Sequence, residues 1–181
     1  MARAYTPEQL QLHLIDPKTT ELVSFEDDPH VMGEIGGFAE DAIEILEEAV
    51  EEMQRRYKLL KEHKAKDISA YKTAEVELDR EDLPWRVLVL DEYADLTSDN
   101  EDRKTIEKSL RRLAQKAWVC GIHVIVATQK ISAIIISTTI RSNLPVQLAL
   151  RVNSATDSRI VMDEGEAEAL GGKRRCISKM H

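Results

Sequence analysis

Four consecutive apolar residues, Val87-Leu88-Val89-Leu90, lead straight into two acids, Asp91-Glu92. A strand with one face in water alternates apolar and polar residues. An unbroken run instead suits a strand buried on both faces, as in a parallel sheet covered by helices. A second run, Ile122 to Ala127, predicts another such strand. Between the two lies a helical pattern, with Ile106, Leu110, Leu113 and Ala117 on one face. Gly121 is placed to stop that helix. Strand, helix, strand in this form predicts an α/β domain with a mainly parallel sheet flanked by helices.

The rest of the chain fits the same class. Gln11 to Ile15 alternates and then stops at Asp16-Pro17, as a strand entering a loop does. From Phe38 the spacing of Ala39, Ile43, Leu46, Val50, Met53, Tyr57 and Leu60 predicts a long helix. Its glutamates crowd the first half and its basic residues the second, which matches the helix dipole. Lys64 to Pro84 reads as a linking segment with a short helix, and Val146 to Val152 as a third, weaker strand. With 43% apolar and 32% charged residues, the 181-residue chain has the composition of one globular domain. The longest candidate for a membrane span, Ile131 to Ile136, is far short of the roughly 20 residues needed. The N-terminus has no apolar signal core, so the expected location is the cytoplasm. Cys120 and Cys176 are read as free thiols, since no CxxC or Cys/His cluster points to zinc.

Chemistry concentrates where the two apolar strands end. In parallel α/β sheets, ligands bind at the C-terminal ends of strands. A carboxylate there can hold Mg²⁺, and an adjacent one can orient an attacking water. Asp91-Glu92 has the form of the Walker B pair of P-loop ATPases. The second run ends in Thr128-Gln129, and an amide in that place can donate to a γ-phosphate or a lytic water. Either end alone could be a polar loop. Two neighbouring strands ending this way, joined by one helix, point to a nucleotide site.

These blocks resemble the motor domain of the FtsK/SpoIIIE DNA translocases. Asp91-Glu92-Tyr93-Ala94-Asp95-Leu96, Leu113-Ala114-Gln115-Lys116-Ala117, Gly121-Ile122-His123 and Ala127-Thr128-Gln129 carry the likeness. Ile15-Asp16-Pro17-Lys18 and Glu52-Met53-Gln54-Arg55-Arg56-Tyr57 extend it upstream. Thr139 to Pro145, Asp157-Ser158-Arg159 and Glu166 to Gly171 follow in family order. The resemblance implies a RecA-like P-loop NTPase core, ATP with Mg²⁺, a homohexameric ring and double-stranded DNA threaded through it. Asp91 would be the Mg²⁺-side carboxylate, Glu92 the catalytic carboxylate and Gln129 the sensor, with Asp91, Thr128 and Gln129 binding the nucleotide. Arg159 would be the arginine finger that reaches a neighbouring subunit's ATP, with Arg141 and Arg151 as alternatives. A buried structural salt bridge is the competing reading for Arg159. The net charge of −8 speaks against a protein that coats DNA through a basic surface, but not against a ring that touches DNA through a few loops.

The chain also departs from the family. No GxxxxGK[ST] occurs in it, and the family's phosphate-binding loop belongs before residue 1, so the motor core is expected to be incomplete at the N-terminus. Gln147 stands where many members have arginine. Lys173-Arg174-Arg175-Cys176 replaces a Gly-Asp-Met-Leu type strand. The expected division is therefore a partial motor domain over 1–172 and a divergent tail over 173–181. Chromosome segregation and conjugal DNA transfer are the roles implied. A non-catalytic motor remnant, or a HerA-like or secretion-type hexameric ATPase, are the alternatives.

Overall fold

A computed structural model describes residues 4–74, 81–135, 137–171 and 175–180. The chain divides into two compact units, Met1–Ala127 and Thr128–His181.

The first unit is built on three strands, β1 (Leu10–Ile15), β2 (Trp85–Leu90) and β3 (Ile122–Val126), in the order β1-β2-β3. Both pairings are parallel, with Ile15 opposite Leu90 and Leu90 opposite Val126, so the three strands end level. Helix α1 (Ala39–Glu62) follows β1; the short α2 (Ile68–Thr73) lies in the linking segment. Helices α3 (Tyr93–Leu96) and α4 (Asn100–Lys116) connect β2 to β3. Leu88 and Leu90 are fully buried, as the unbroken apolar run predicts. Ile106, Leu110, Leu113 and Ala117 are buried too, although the α-helix ends at Lys116 and Ala117 begins a 3-10 turn.

Two charged residues organise this core. Arg56 is wholly buried in α1 and donates to the carbonyls of Pro84 (2.7 Å) and Cys120 (3.0 Å), just ahead of β2 and β3. Its Nε donates to Glu52 at 2.7 Å, which supplies the counter-charge such burial needs. Asp41 tethers the start of α1 by accepting from the backbone N–H groups of Gly37 and Phe38. Gly121 turns the chain into β3 at φ +75°, where a Cβ would stand 2.4 Å from Ile68 Cδ1. Glycine is needed there for conformation and for space.

The second unit contains α5 (Thr138–Asn143), β4 (Val146–Ala149), α6 (Ala155–Met162) and β5 (Ile177–Met180). The strand predicted over Val146 to Val152 is thus shorter than expected, and it is not in the parallel sheet: β4 pairs antiparallel with β5. Gln147 and Ala149 point inward while Val146 and Leu148 point out. That alternation marks a strand covered on one side, which the mostly apolar composition of the stretch conceals. Ala149, Val152, Met162 and Ala167 form the small core. Buried Ser158 closes it, donating to the Glu164 carbonyl and accepting from the Ala167 N–H. Among the described residues, no helix is long and apolar enough to cross a membrane. Of the expected tail, Lys173, Arg174 and His181 lie outside the described residues.

Candidate active site

The level ends of β1, β2 and β3 form the platform. The parallel ladder continues one residue past each strand: Asp91 N–H donates to the Ile15 carbonyl (2.9 Å), and Ala127 N–H to the Leu90 carbonyl (2.9 Å). Tyr93 N–H then donates back to the Ala127 carbonyl at 2.8 Å. These bonds fix Asp91 and Glu92 between the exits of the two flanking strands. Asp91 is half-buried, and Glu92 is buried, at 1% exposure. Glu92 also has left-handed backbone, φ 37° and ψ 60°, which a non-glycine residue keeps only when its surroundings impose it. Observed strain of this kind clusters at functional sites.

The carboxylate of Glu92 accepts a hydrogen bond from Lys18 Nζ at 3.1 Å. Lys18 comes from the turn after β1, which is wound around Asp16. That carboxylate, fully buried, accepts four backbone N–H groups: Lys18 (3.0 Å), Thr20 (3.1 Å), Glu21 (2.9 Å) and Leu22 (2.9 Å). Burial alone would push the Asp16 carboxyl up; the four N–H donors outweigh it and hold the group below the usual range. The Lys18 ammonium is pushed up, first by its hydrogen bond to Glu92, with burial opposing. After Glu92, α3 turns the chain away. Tyr93 is buried, its hydroxyl has no hydrogen-bond partner among the described residues, and burial raises the phenol well above its ordinary value. Arg103 holds the end of α3 by donating twice to the Thr97 carbonyl.

The other expected site residues belong to the second unit. Thr128 and Gln129 are its first two residues, directly after Ala127 in the chain. Thr128 Oγ1 accepts from the Lys130 N–H at 3.2 Å, and Gln129 is exposed. Arg141 is ion-paired with Asp163, and its carbonyl accepts from Gln147. Arg151 is exposed. Arg159 is exposed on α6 and takes part in none of the described ion pairs, which does not fit the competing reading of a buried salt bridge. Asp91 and Glu92 thus share one framework with Lys18, while Thr128, Gln129 and Arg159 stand on another.

No group of three or more His, Cys, Asp or Glu side chains suited to a metal occurs among the described residues. A single half-buried carboxylate at a strand end still fits Mg²⁺, which keeps several waters and takes one or two protein carboxylates beside substrate phosphates. Sequence reasoning assigned no role to Lys18 or Asp16. The signal was Asp16-Pro17-Lys18 itself, a short acidic turn with a cation at a strand's C-terminal end.

Comparison with known proteins bears on the family and the fold. The FtsK/SpoIIIE family model matches residues 1–133. The DNA translocase FtsK of Campylobacter jejuni subsp. jejuni (strain 81-176) is 37% identical over 172 residues, 95% of this chain and 18% of that protein. The DNA translocase SftA of Bacillus subtilis (strain 168) is 40% identical over 171 residues, 92% of this chain and 17% of that protein. The chain therefore spans about a fifth of the length of the curated relatives it matches. Among solved structures, the pCW3 conjugation coupling protein TcpA, in its monomer form with ATPγS, aligns with a TM-score of 0.82 at 25% identity, over 96% of this chain and 50% of that one. The cytoplasmic domain of the type VII secretion ATPase EccC from Thermomonospora curvata shares the fold, with a TM-score of 0.76 at 24% identity over 97% of this chain and 21% of that one.

Proposed function

The chain belongs to the FtsK/SpoIIIE family, and on that premise we propose that residues 1–172 are part of a cytoplasmic, ATP-driven motor that moves double-stranded DNA. The observation that carries this reading is the Asp91-Glu92 pair at the end of the central strand, held by both neighbouring strands, with Glu92 buried and strained. Asp91 would hold Mg²⁺, directly or through water. The ion, when bound, neutralises charge on the β- and γ-phosphates. Glu92 orients the attacking water and accepts its proton. Thr128 and Gln129 donate toward the γ-phosphate. Arg159, exposed on α6, is the candidate finger that stabilises charge on the ATP of an adjacent subunit in a hexameric ring.

The phosphate cradle is not among these residues, because no GxxxxGK[ST] is present. The 181 residues by themselves therefore bind ATP weakly and do not turn it over. The relatives are DNA translocases and the closely aligned TcpA is a conjugation coupling protein, which supports chromosome segregation or conjugal transfer as the setting. EccC, a secretion ATPase, shares the fold, so a protein-secretion motor is the second reading. The test of the site joins residues 1–181 to an upstream phosphate-binding loop with its strand and helix. Glu92→Gln in that fusion lowers steady-state turnover by about 10²–10⁴ and leaves nucleotide binding intact. Turnover within about threefold of the parent would reject Glu92 as the catalytic carboxylate.

A further inference from the structure

The buried carboxylate of Glu92 is met by a cation from a different strand exit, and three features aim that cation. Ile15 pairs with Leu90, and the Asp91 N–H bond to the Ile15 carbonyl carries the pairing on, so the turn after β1 lies beside the end of β2. Asp16 gathers the N–H groups of Lys18, Thr20, Glu21 and Leu22, which fixes the path of the turn. Thr19 takes left-handed backbone at φ 50°, with its N–H bonded to the Asp16 carbonyl. Lys18 leaves this turn with its side chain 35% exposed and its Nζ 3.1 Å from Glu92 Oε2. The two residues are 74 positions apart in sequence.

We propose that Lys18 is a positioning residue for the reaction: it acts through Glu92, fixing the direction of the carboxylate that must meet the attacking water. The inference rests on the reading of Glu92 as the catalytic carboxylate. A glutamate side chain has several rotatable bonds, and Glu92 starts from a strained backbone. One charge-assisted hydrogen bond from a fixed turn selects among its orientations and offsets the burial of its charge. A general base displaced by about 1 Å can lose on the order of 10²-fold in rate. The Asp16 turn would thus pass the exact placement of β1 to the end of β2, by way of one ammonium group.

Two measurements test this. In residues 1–181 themselves, Lys18→Met removes the cation that meets a buried carboxylate and lowers the melting temperature by several degrees, about 4–8 °C. Adding Glu92→Gln to Lys18→Met then restores part of that loss, because the buried charge that Lys18 offset is gone. Losses that simply add would show that the two side chains are not coupled and would overturn the proposal. In the fusion that carries a phosphate-binding loop, Lys18→Met lowers kcat by about 10- to 100-fold with KM for ATP within about twofold. Lys18→Arg keeps at least about a third of the parent kcat, since it can still donate to the carboxylate. Full activity in Lys18→Met beside an inactive Glu92→Gln would overturn the role of Lys18 and leave that of Glu92 standing. A raised KM with unchanged kcat would make Lys18 a binding residue and overturn the proposal as well. An active Glu92→Gln would instead reject the underlying reading of Glu92.

Discussion

In residues 1–127 three parallel strands are covered by long helices, and two charged side chains, Arg56 and Asp16, are buried on several hydrogen bonds each. In residues 128–181 two short antiparallel strands are backed by a core of four small or flexible side chains, and Val146, Leu148 and Leu150 are 51%, 66% and 63% exposed. The first unit is held by long-range contacts that require one register and tolerate no loss. The second is held by fewer bonds: a serine hydroxyl between nearby residues and a two-strand ladder that ties Val146–Ala149 to Ile177–Met180. Of the expected site residues, Asp91 and Glu92 stand on the rigid framework. Thr128, Gln129 and Arg159 stand on the lighter one.

The largest effect expected from this contrast is at Arg56. Arg56→Met removes the donor to Pro84 and Cys120 from a closed core and should cost about 3–5 kcal/mol in chemical denaturation. A loss under 1 kcal/mol would mean that the first unit is no more tightly organised than the second.

Acid should act next, and on the same unit. Burial would raise the Glu52 carboxyl, but hydrogen bonds from Arg55 and Arg56 outweigh it and bring the group to about 2, from 4.5. A depressed carboxyl stabilises the folded chain above its unfolded value, so the contribution is whole above pH 4.5 and fades as pH falls toward about 2. Solvent screening reduces it to about 1–2 kcal/mol. Denaturation midpoints at a series of pH values should fall across that window, and Glu52→Gln should flatten the fall.

The smallest effect is at the open face of the second unit. Leu148→Ser should change stability by no more than about 0.5 kcal/mol. It should also reduce self-association at high concentration, seen by light scattering, because it breaks the exposed row formed with Val146 and Leu150. A large destabilisation would show that this face is covered within the chain.

The same contrast separates what the sequence shows from what it hides. The unbroken run Val87 to Leu90 and the 3.6-residue spacing of α1 are local patterns, and both elements form where those patterns lie. Asp91 and Glu92 were legible as candidates because two neighbouring apolar strands, joined by one helix, both end in polar residues. Strand β5 was not: Ile177-Ser178-Lys179-Met180 is half polar, and only its ladder with β4 makes it a strand. The pairing of Lys18 with Glu92 was hidden for another reason. It depends on the register of β1 against β2, and no window of sequence contains both residues.

The central claim, that this chain supplies the catalytic carboxylates of a DNA-driven ATPase, is tested most directly by ATP hydrolysis with and without double-stranded DNA. The fusion of residues 1–181 to a phosphate-binding loop should hydrolyse ATP faster when long double-stranded DNA is added, and Glu92→Gln should abolish the basal and the stimulated rates together. Hydrolysis that is indifferent to double-stranded DNA, or that survives Glu92→Gln, would contradict the account.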